Sequence, residues 1–323
     1  MPPTVVDRSL LQRRLIAAFW MLLALFLVLG LVVRPTGLGD TLDGRTLSAL
    51  RPLDTPETNQ GWTTVASLGA PSAYLQFCLA LMLVAAVRRR WRWVLVAPVT
   101  MLVSELTAQA IKQLTAGPRP GVAMGSTIGD AAWPSGHSTA AMTVALLAVL
   151  ISPRRMRPTV AMLGALGALG VGIGMVAIGA HYPTDIFGGY LCAAVFVALA
   201  AIGVLEWQRR SPVVRPVDRA PTGYAHLAGP VLLLVLGALT AYSVASRDAE
   251  GLVGTVRDHT VAVVVVGGLV ALALTLVALT ATLPEAREDA RRPAPANAAT
   301  DDGGAGPPSP DDPATVADGA PRP

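Results

Sequence analysis

Apolar residues run along this chain in long blocks separated by short polar or basic junctions. They show neither the two-residue alternation of a half-buried strand nor the one-sided stripe of a helix on a soluble core. Each block is about as long as a bilayer demands, near 20 residues at a rise of about 1.5 Å each. The pattern predicts eight helices, at residues 15–33, 63–87, 94–111, 138–152, 159–180, 186–207, 227–246 and 260–282. The expected fold class is an all-α integral membrane protein. The fourth block is short and borrows the turn before it. The polar segment 34–62 carries Asp40, Asp43, Asp54 and Glu57 and has room for a short surface helix such as 46–53. From about 284 the chain turns to Pro, Ala, Gly and Asp. Such a segment cannot bury enough apolar surface to order itself and reads as a disordered cytoplasmic tail.

Composition supports the membrane reading. Of the 323 residues 53% are hydrophobic and 14% charged, against roughly 25% charged in a soluble domain. Cys78 and Cys192 both lie inside apolar blocks and read as small buried hydrophobes, with no zinc spacing and no disulfide framework. The first block follows Arg8, Arg13 and Arg14, but no small-x-small cleavage site follows it, so it reads as a retained signal-anchor. With the N-terminus inside, the cytoplasmic segments collect 18 of the 25 basic residues, and every cytoplasmic junction is basic. Span count and orientation therefore support each other, with both termini cytoplasmic. Trp91, Trp93 and Trp207 fit an interfacial belt. In the fifth helix Gly170 and Gly174 form a small-xxx-small pair suited to close helix packing. Nucleic acid is not an expected partner; membrane lipids are.

Three junctions that this topology places on the non-cytoplasmic face hold most of the remaining polar chemistry. The first reads KQLTAGPRP and carries Lys112, the chain's one lysine, and Arg119. The second reads WPSGHSTAA, with Ser135, Gly136 and His137. The third reads AHYPTDIFGG, with His181 and Asp185. Arg119 can engage an oxyanion as a fork and Lys112 as a point charge. Ser135-Gly136-His137 opens a helix, where free N–H groups and the helix dipole favour an anion. His181 and Asp185 are four residues apart, so a helical turn brings carboxylate to imidazole. That contact fixes the tautomer and leaves the other ring nitrogen nucleophilic. His137 is a second imidazole able to protonate a leaving oxygen. No Asp/Glu/Cys cluster offers a metal a home, and no cofactor is expected. Singly, each motif also reads as a helix cap, an interfacial Tyr or a snorkelling lysine; the ordered, co-facial set does not.

The set K-x6-RP, PSGH and H-x3-D resembles the signature of the type 2 phosphatidic acid phosphatase family, the lipid phosphate phosphatases related to vanadium haloperoxidases. The resemblance implies a six-helix phosphatase-type core, matched by the helices from 15 to 207 and assigned to 1–220; the apolar pattern adds two transmembrane helices in 221–283, and composition a tail at 284–323. It implies His181 as nucleophile forming a phosphohistidine, Asp185 as its orienting partner and His137 as general acid. Lys112, Arg119, Ser135 and Gly136 would hold the phosphoryl oxygens of a lipid phosphate drawn from the bilayer. The expected setting is a bacterial cell membrane.

One position departs from the family pattern. Its third motif opens with Ser-Arg six to seven residues before the histidine, and here those positions are Gly174 and Met175. Losing one preorganised charged donor costs about 10²–10³ in rate, roughly 3–4 kcal/mol. Three readings stay open: a metal-independent lipid phosphate or pyrophosphate phosphatase, a phosphotransferase using the same intermediate, and a weakly active or non-catalytic lipid-phosphate-binding protein. The two extra helices read as an anchor or an interaction surface. Glu105, two turns deeper than Lys112 on the same helix face, reads as a partner for Lys112 or for backbone. His226 and His259 are assigned no role.

Overall fold

A computed structural model of the chain describes residues 8–117, 128–210 and 259–283. Among these residues there are helices and no strands. In chain order they are α1 (Arg8–Val28), α2 (Gly37–Leu50), α3 (Asn59–Ser67), α4 (Pro71–Val87), α5 (Trp91–Leu114), α6 (Gly136–Ile151), α7 (Arg157–Ala177), α8 (Pro183–Arg210) and α9 (Thr260–Thr282). A π-helical turn, Leu29–Val33, prolongs α1.

Among the described residues five helical segments are long and apolar enough to cross a membrane: Leu10–Val33, Trp91–Leu114, Arg154–Ala177, Pro183–Arg210 and Thr260–Thr282. The second expected helix is broken. Asn59–Ser67 and Pro71–Val87 meet at 46°, and together they make a sixth candidate span. Pro71 at the first turn of α4 explains the break, because its ring cannot continue the preceding helix. The fourth expected helix is short, as its sequence suggested, with 16 residues in α6. The expected seventh span, 227–246, and the tail from 284 lie outside the described residues.

α6 is the centre of the bundle, with Met142, Leu147, Val149 and Ile151 fully buried. Small residues bring the neighbours close. A β-carbon on Gly164 of α7 would stand 2.8 Å from Ala145 of α6. Gly170 and Gly174 face α3, against Val65 and the Trp62 carbonyl, so the small-xxx-small pair does the packing expected of it. α9 is no appended anchor: Leu269, Ala273, Leu276 and Val277 are part of the same apolar core. The segment 34–62 also differs from its expectation. Its helix starts at Gly37 and is inserted, with Asp43, Thr46 and Leu47 buried. Trp93 is buried as well, while Trp91 and Trp207 are exposed.

The two ends of the bundle differ in chemistry. At one end Arg90 Nη1 donates to the Leu150 carbonyl at 2.8 Å, and Arg157 Nη1 to the Leu283 carbonyl at 2.6 Å. Arg92 lies over the Trp207 ring, 5.6 Å from its centroid. The α4–α5 and α6–α7 junctions and the ends of α8 and α9 therefore meet there. The end of α5, the start of α6 and the α7–α8 turn lie at the opposite end. Counting arginines sorted the junctions as the fold does.

Candidate functional site

The site is built on three helix termini. α7 ends at Ala177, and the chain reverses through Gly179, whose φ of +70° is a left-handed conformation that favours glycine. The N–H groups of Ala180 and His181 both donate to the Met175 carbonyl, at 2.9 and 3.2 Å, which closes the turn under the histidine. α8 then starts at Pro183, where a missing N–H costs nothing.

Asp185 is completely buried in the first turn of α8 and His181 is 7% exposed. The Asp185 Oδ2 accepts the Tyr182 N–H at 3.0 Å and lies 3.3 Å from His181 Nδ1. The four-residue spacing thus joins carboxylate and imidazole as expected, and it points Nε2 away from the carboxylate. The Tyr182 bond holds the carboxylate in place independently of the histidine.

A backbone bond ties the second motif to the third: the Ser135 N–H donates to the Asp185 carbonyl at 3.0 Å. Ser135 caps α6, its Oγ accepting the Ser138 N–H at 3.4 Å. Gly189 makes this contact possible, since a β-carbon there would stand 2.7 Å from the Ser135 carbonyl. Before Ser135, Trp133 stacks on Phe26 of α1 at 4.8 Å between ring centroids. The Thr115 hydroxyl donates to the Trp133 carbonyl at 3.1 Å, and Arg34 Nη2 donates to the Thr115 carbonyl at 2.9 Å. The end of α5 is thereby fastened to the start of α6.

Lys112, Glu105 and Gln109 of α5 converge on Gly136. A β-carbon at 136 would be 2.9 Å from both Glu105 Oε1 and Gln109 Nε2, and 3.5 Å from Lys112 Nζ. Gln109 donates to Glu105 Oε1, while Glu105 Oε2 is buried without a hydrogen-bond partner. Glu105 takes a hydrogen bond from Gln109 and also interacts by charge with Lys112, the partner expected for it. His137 lies within electrostatic range of both His181 and Lys112, and Lys112 within range of Glu105 and Asp185. The structure therefore brings together Lys112, Ser135, Gly136, His137, His181 and Asp185. Arg119 lies outside the described residues.

Met175, at the position where the resembled family carries its third cation, is 5% exposed and part of the apolar core. Arg51 reaches this turn from the segment after α2. Its Nη1 donates to the Ala177 carbonyl at 3.1 Å and to Asp54 Oδ2 at 3.3 Å, and its guanidinium lies against Gly179. Among the described residues no group of three or more His, Cys, Asp or Glu side chains gathers as a metal site.

Residues 93–210 match the family model of the PAP2 superfamily. The family resembled by the three motifs is the family matched, and the PAP2 region contains all of them. The chain is also similar to the crystal structure of the first transmembrane PAP2 type phosphatidylglycerolphosphate phosphatase from Bacillus subtilis. That likeness has a TM-score of 0.51 and 22% identity, and covers 61% of this chain and 99% of that one. At this identity it speaks for the fold: a transmembrane helical bundle with the PAP2 arrangement. No curated protein matches the chain.

Asp43, Gly69, Gln109 and Arg51 touch this site or its frame and were not legible as such beforehand. Asp43 lies 141 residues from its partner Thr184. Nothing in a sequence pattern signals a contact of that range.

Proposed function

We propose that the protein is a membrane lipid phosphate or lipid pyrophosphate phosphatase that works through a phosphohistidine at the non-cytoplasmic face. The observation that carries this reading is the buried His181–Asp185 pair set beside Lys112 and the start of α6. Asp185 holds the Nδ1 proton, so the lone pair on His181 Nε2 attacks phosphorus. The bond from phosphorus to the lipid oxygen breaks, and His137 gives that oxygen its proton. Water then attacks the phosphorus, the P–N bond breaks, and His137 takes up the proton of the water. Lys112, Arg119, the Ser135 hydroxyl and the Gly136 backbone hold the phosphoryl oxygens. No step needs a metal.

The arginine-rich end is the cytoplasmic one by the positive-inside rule, which puts both termini in the cytoplasm and the site across the membrane from them. In this reading 1–220 is the phosphatase core; of the two spans read from the sequence in 221–283 only α9 lies within the described residues, and the tail from 284 lies outside them. A bacterial cell membrane suits this reading, and passing the phosphoryl group to another alcohol would make the same site a transferase. Met175 favours a second reading, in which the site binds lipid phosphate but turns it over slowly or not at all. The test is phosphate release from phosphatidic acid, phosphatidylglycerol phosphate and a polyprenyl pyrophosphate by purified protein in a metal chelator. Release by the wild type that is lost in His181→Ala is expected. Equal silence of both on every substrate would leave the binding reading.

A further inference from the structure

The turn that carries His181 and Asp185 is held from outside by a helix remote in sequence. Asp43, in the middle of α2, is 5% exposed. Its Oδ1 accepts the Thr184 N–H at 2.9 Å and its Oδ2 accepts the Thr184 hydroxyl at 2.6 Å. Thr184 follows Pro183 at the start of α8 and directly precedes Asp185. The first N–H groups of a helix have no acceptor within it, and a buried one left unsatisfied is costly. Asp43 therefore does for α8 what an N-cap residue ordinarily does from the preceding position, with a negative charge on the favourable end of the helix dipole. Two bonds to one residue fix both its backbone and its side-chain rotamer. Eight residues further on, Arg51 grips the Ala177 carbonyl and covers Gly179. The segment from α2 to Arg51 thus clasps both limbs of the His181 turn, Asp43 on the α8 side and Arg51 on the α7 side.

We infer that Asp43 is a positioning residue which, through Thr184, sets the His181–Asp185 pair for attack. The inference rests on the phosphatase reading. A displacement of well under 1 Å at Thr184 moves the Asp185 carboxylate, and with it the direction of the His181 lone pair. Reaction at a held centre is sensitive to such shifts, while binding of the phosphate at Lys112 and Arg119 is not.

Kinetics of phosphate release test it, measured on the full-length purified protein. Asp43→Ala lowers kcat at least tenfold, with KM and competitive inhibition by inorganic phosphate changed less than about threefold. Thr184→Ala, which removes only the hydroxyl bond, gives a smaller fall, and Thr184→Ser restores the wild-type rate. The double variant Asp43→Ala/Thr184→Ala is no slower than Asp43→Ala alone, as expected for two groups acting through one contact. If Asp43→Ala does not fold, Asp43→Asn paired with Thr184→Ala carries the same non-additivity test. Wild-type kcat in the Asp43 variants, beside an inactive His181→Ala, overturns this inference and leaves the phosphatase reading standing. So do additive losses, or a change confined to KM. Equal activity of His181→Ala and wild type overturns the phosphatase reading itself.

Discussion

Gly69 lies against the backbone of His137: a β-carbon at 69 would stand 2.6 Å from the His137 carbonyl oxygen and 2.9 Å from its Cα. The break between α3 and α4 is thus the surface on which the first turn of α6 rests. Backbone atoms, unlike the ends of side chains, cannot swing aside. Gly69→Ala must therefore push α3–α4 and α6 apart, and overpacking of this kind costs about 1–3 kcal/mol. The expected outcome is a lower melting temperature in detergent together with at least a tenfold loss of phosphate release, since the displaced residue is the proposed acid. Loss of stability with a wild-type rate per folded molecule would show that His137 tolerates the shift.

Asp185→Asn separates shape from charge. The Asn side-chain oxygen can still accept the Tyr182 N–H, now at 3.0 Å from the carboxylate. The same oxygen faces His181 Nδ1 at 3.3 Å, so the ring keeps its Nδ1 proton, and what is lost is the negative charge that offsets the positive charge growing on the imidazole as Nε2 attacks. We expect kcat to fall by about 10²–10³ with the fold intact, in line with the loss of one electrostatic stabiliser of the transition state. Steady-state phosphate release and a melting curve decide it. A variant within a few-fold of the wild-type rate would argue against nucleophilic attack by His181.

Legibility in the sequence followed the range of the interaction. Helices such as α9, found at Thr260–Thr282 against an expected 260–282, declare themselves by apolar length alone. The His181–Asp185 contact is also local, since four residues make a helical turn. The sorting of junctions to two ends was available from Arg positions before any packing was known. What the pattern did not show depends on tertiary contact. The segment 34–62 is polar enough to read as surface, yet Asp43 is buried because Thr184 supplies two donors to it. Trp93 follows Arg92 and reads as interfacial, yet it is inside the core. Gly136 was expected to admit a phosphate; the residues crowding it, Glu105 and Gln109, come from another helix.

Gly136→Ala tests that crowding. The added methyl would meet Glu105 Oε1 and Gln109 Nε2 at 2.9 Å and Lys112 Nζ at 3.5 Å. All three are the ends of flexible side chains, so they can give way. The variant should melt within a few degrees of wild type. Its phosphate release should nevertheless fall by tenfold or more, with KM raised, because Lys112 and the α6 N-terminus no longer meet the phosphoryl oxygens from the same distance. Unchanged kinetics would move the phosphate away from this end of α6.

Met175→Arg asks whether the site lacks only its third cation. Met175 is in the last full turn of α7, and its carbonyl receives both Ala180 and His181 N–H groups, so its backbone sits directly under the proposed nucleophile. An arginine there has length to spare, and its alternatives are poor: the surroundings of Met175 are apolar, and Arg51 already occupies the Ala177 carbonyl. Burial of a charge without a partner is strongly unfavourable, which drives the guanidinium toward the one nearby place where an anion is expected. One restored donor corresponds to about 10²–10³ in rate. We therefore expect phosphate release to rise by up to that factor, and the melting temperature of the variant to climb when inorganic phosphate is added. A rise in activity, lost again in His181→Ala/Met175→Arg, would mean that the catalytic pair is intact and short of one cation. A folded variant with no gain would mean that the pocket has been rebuilt around Met175 for a substrate held in another way.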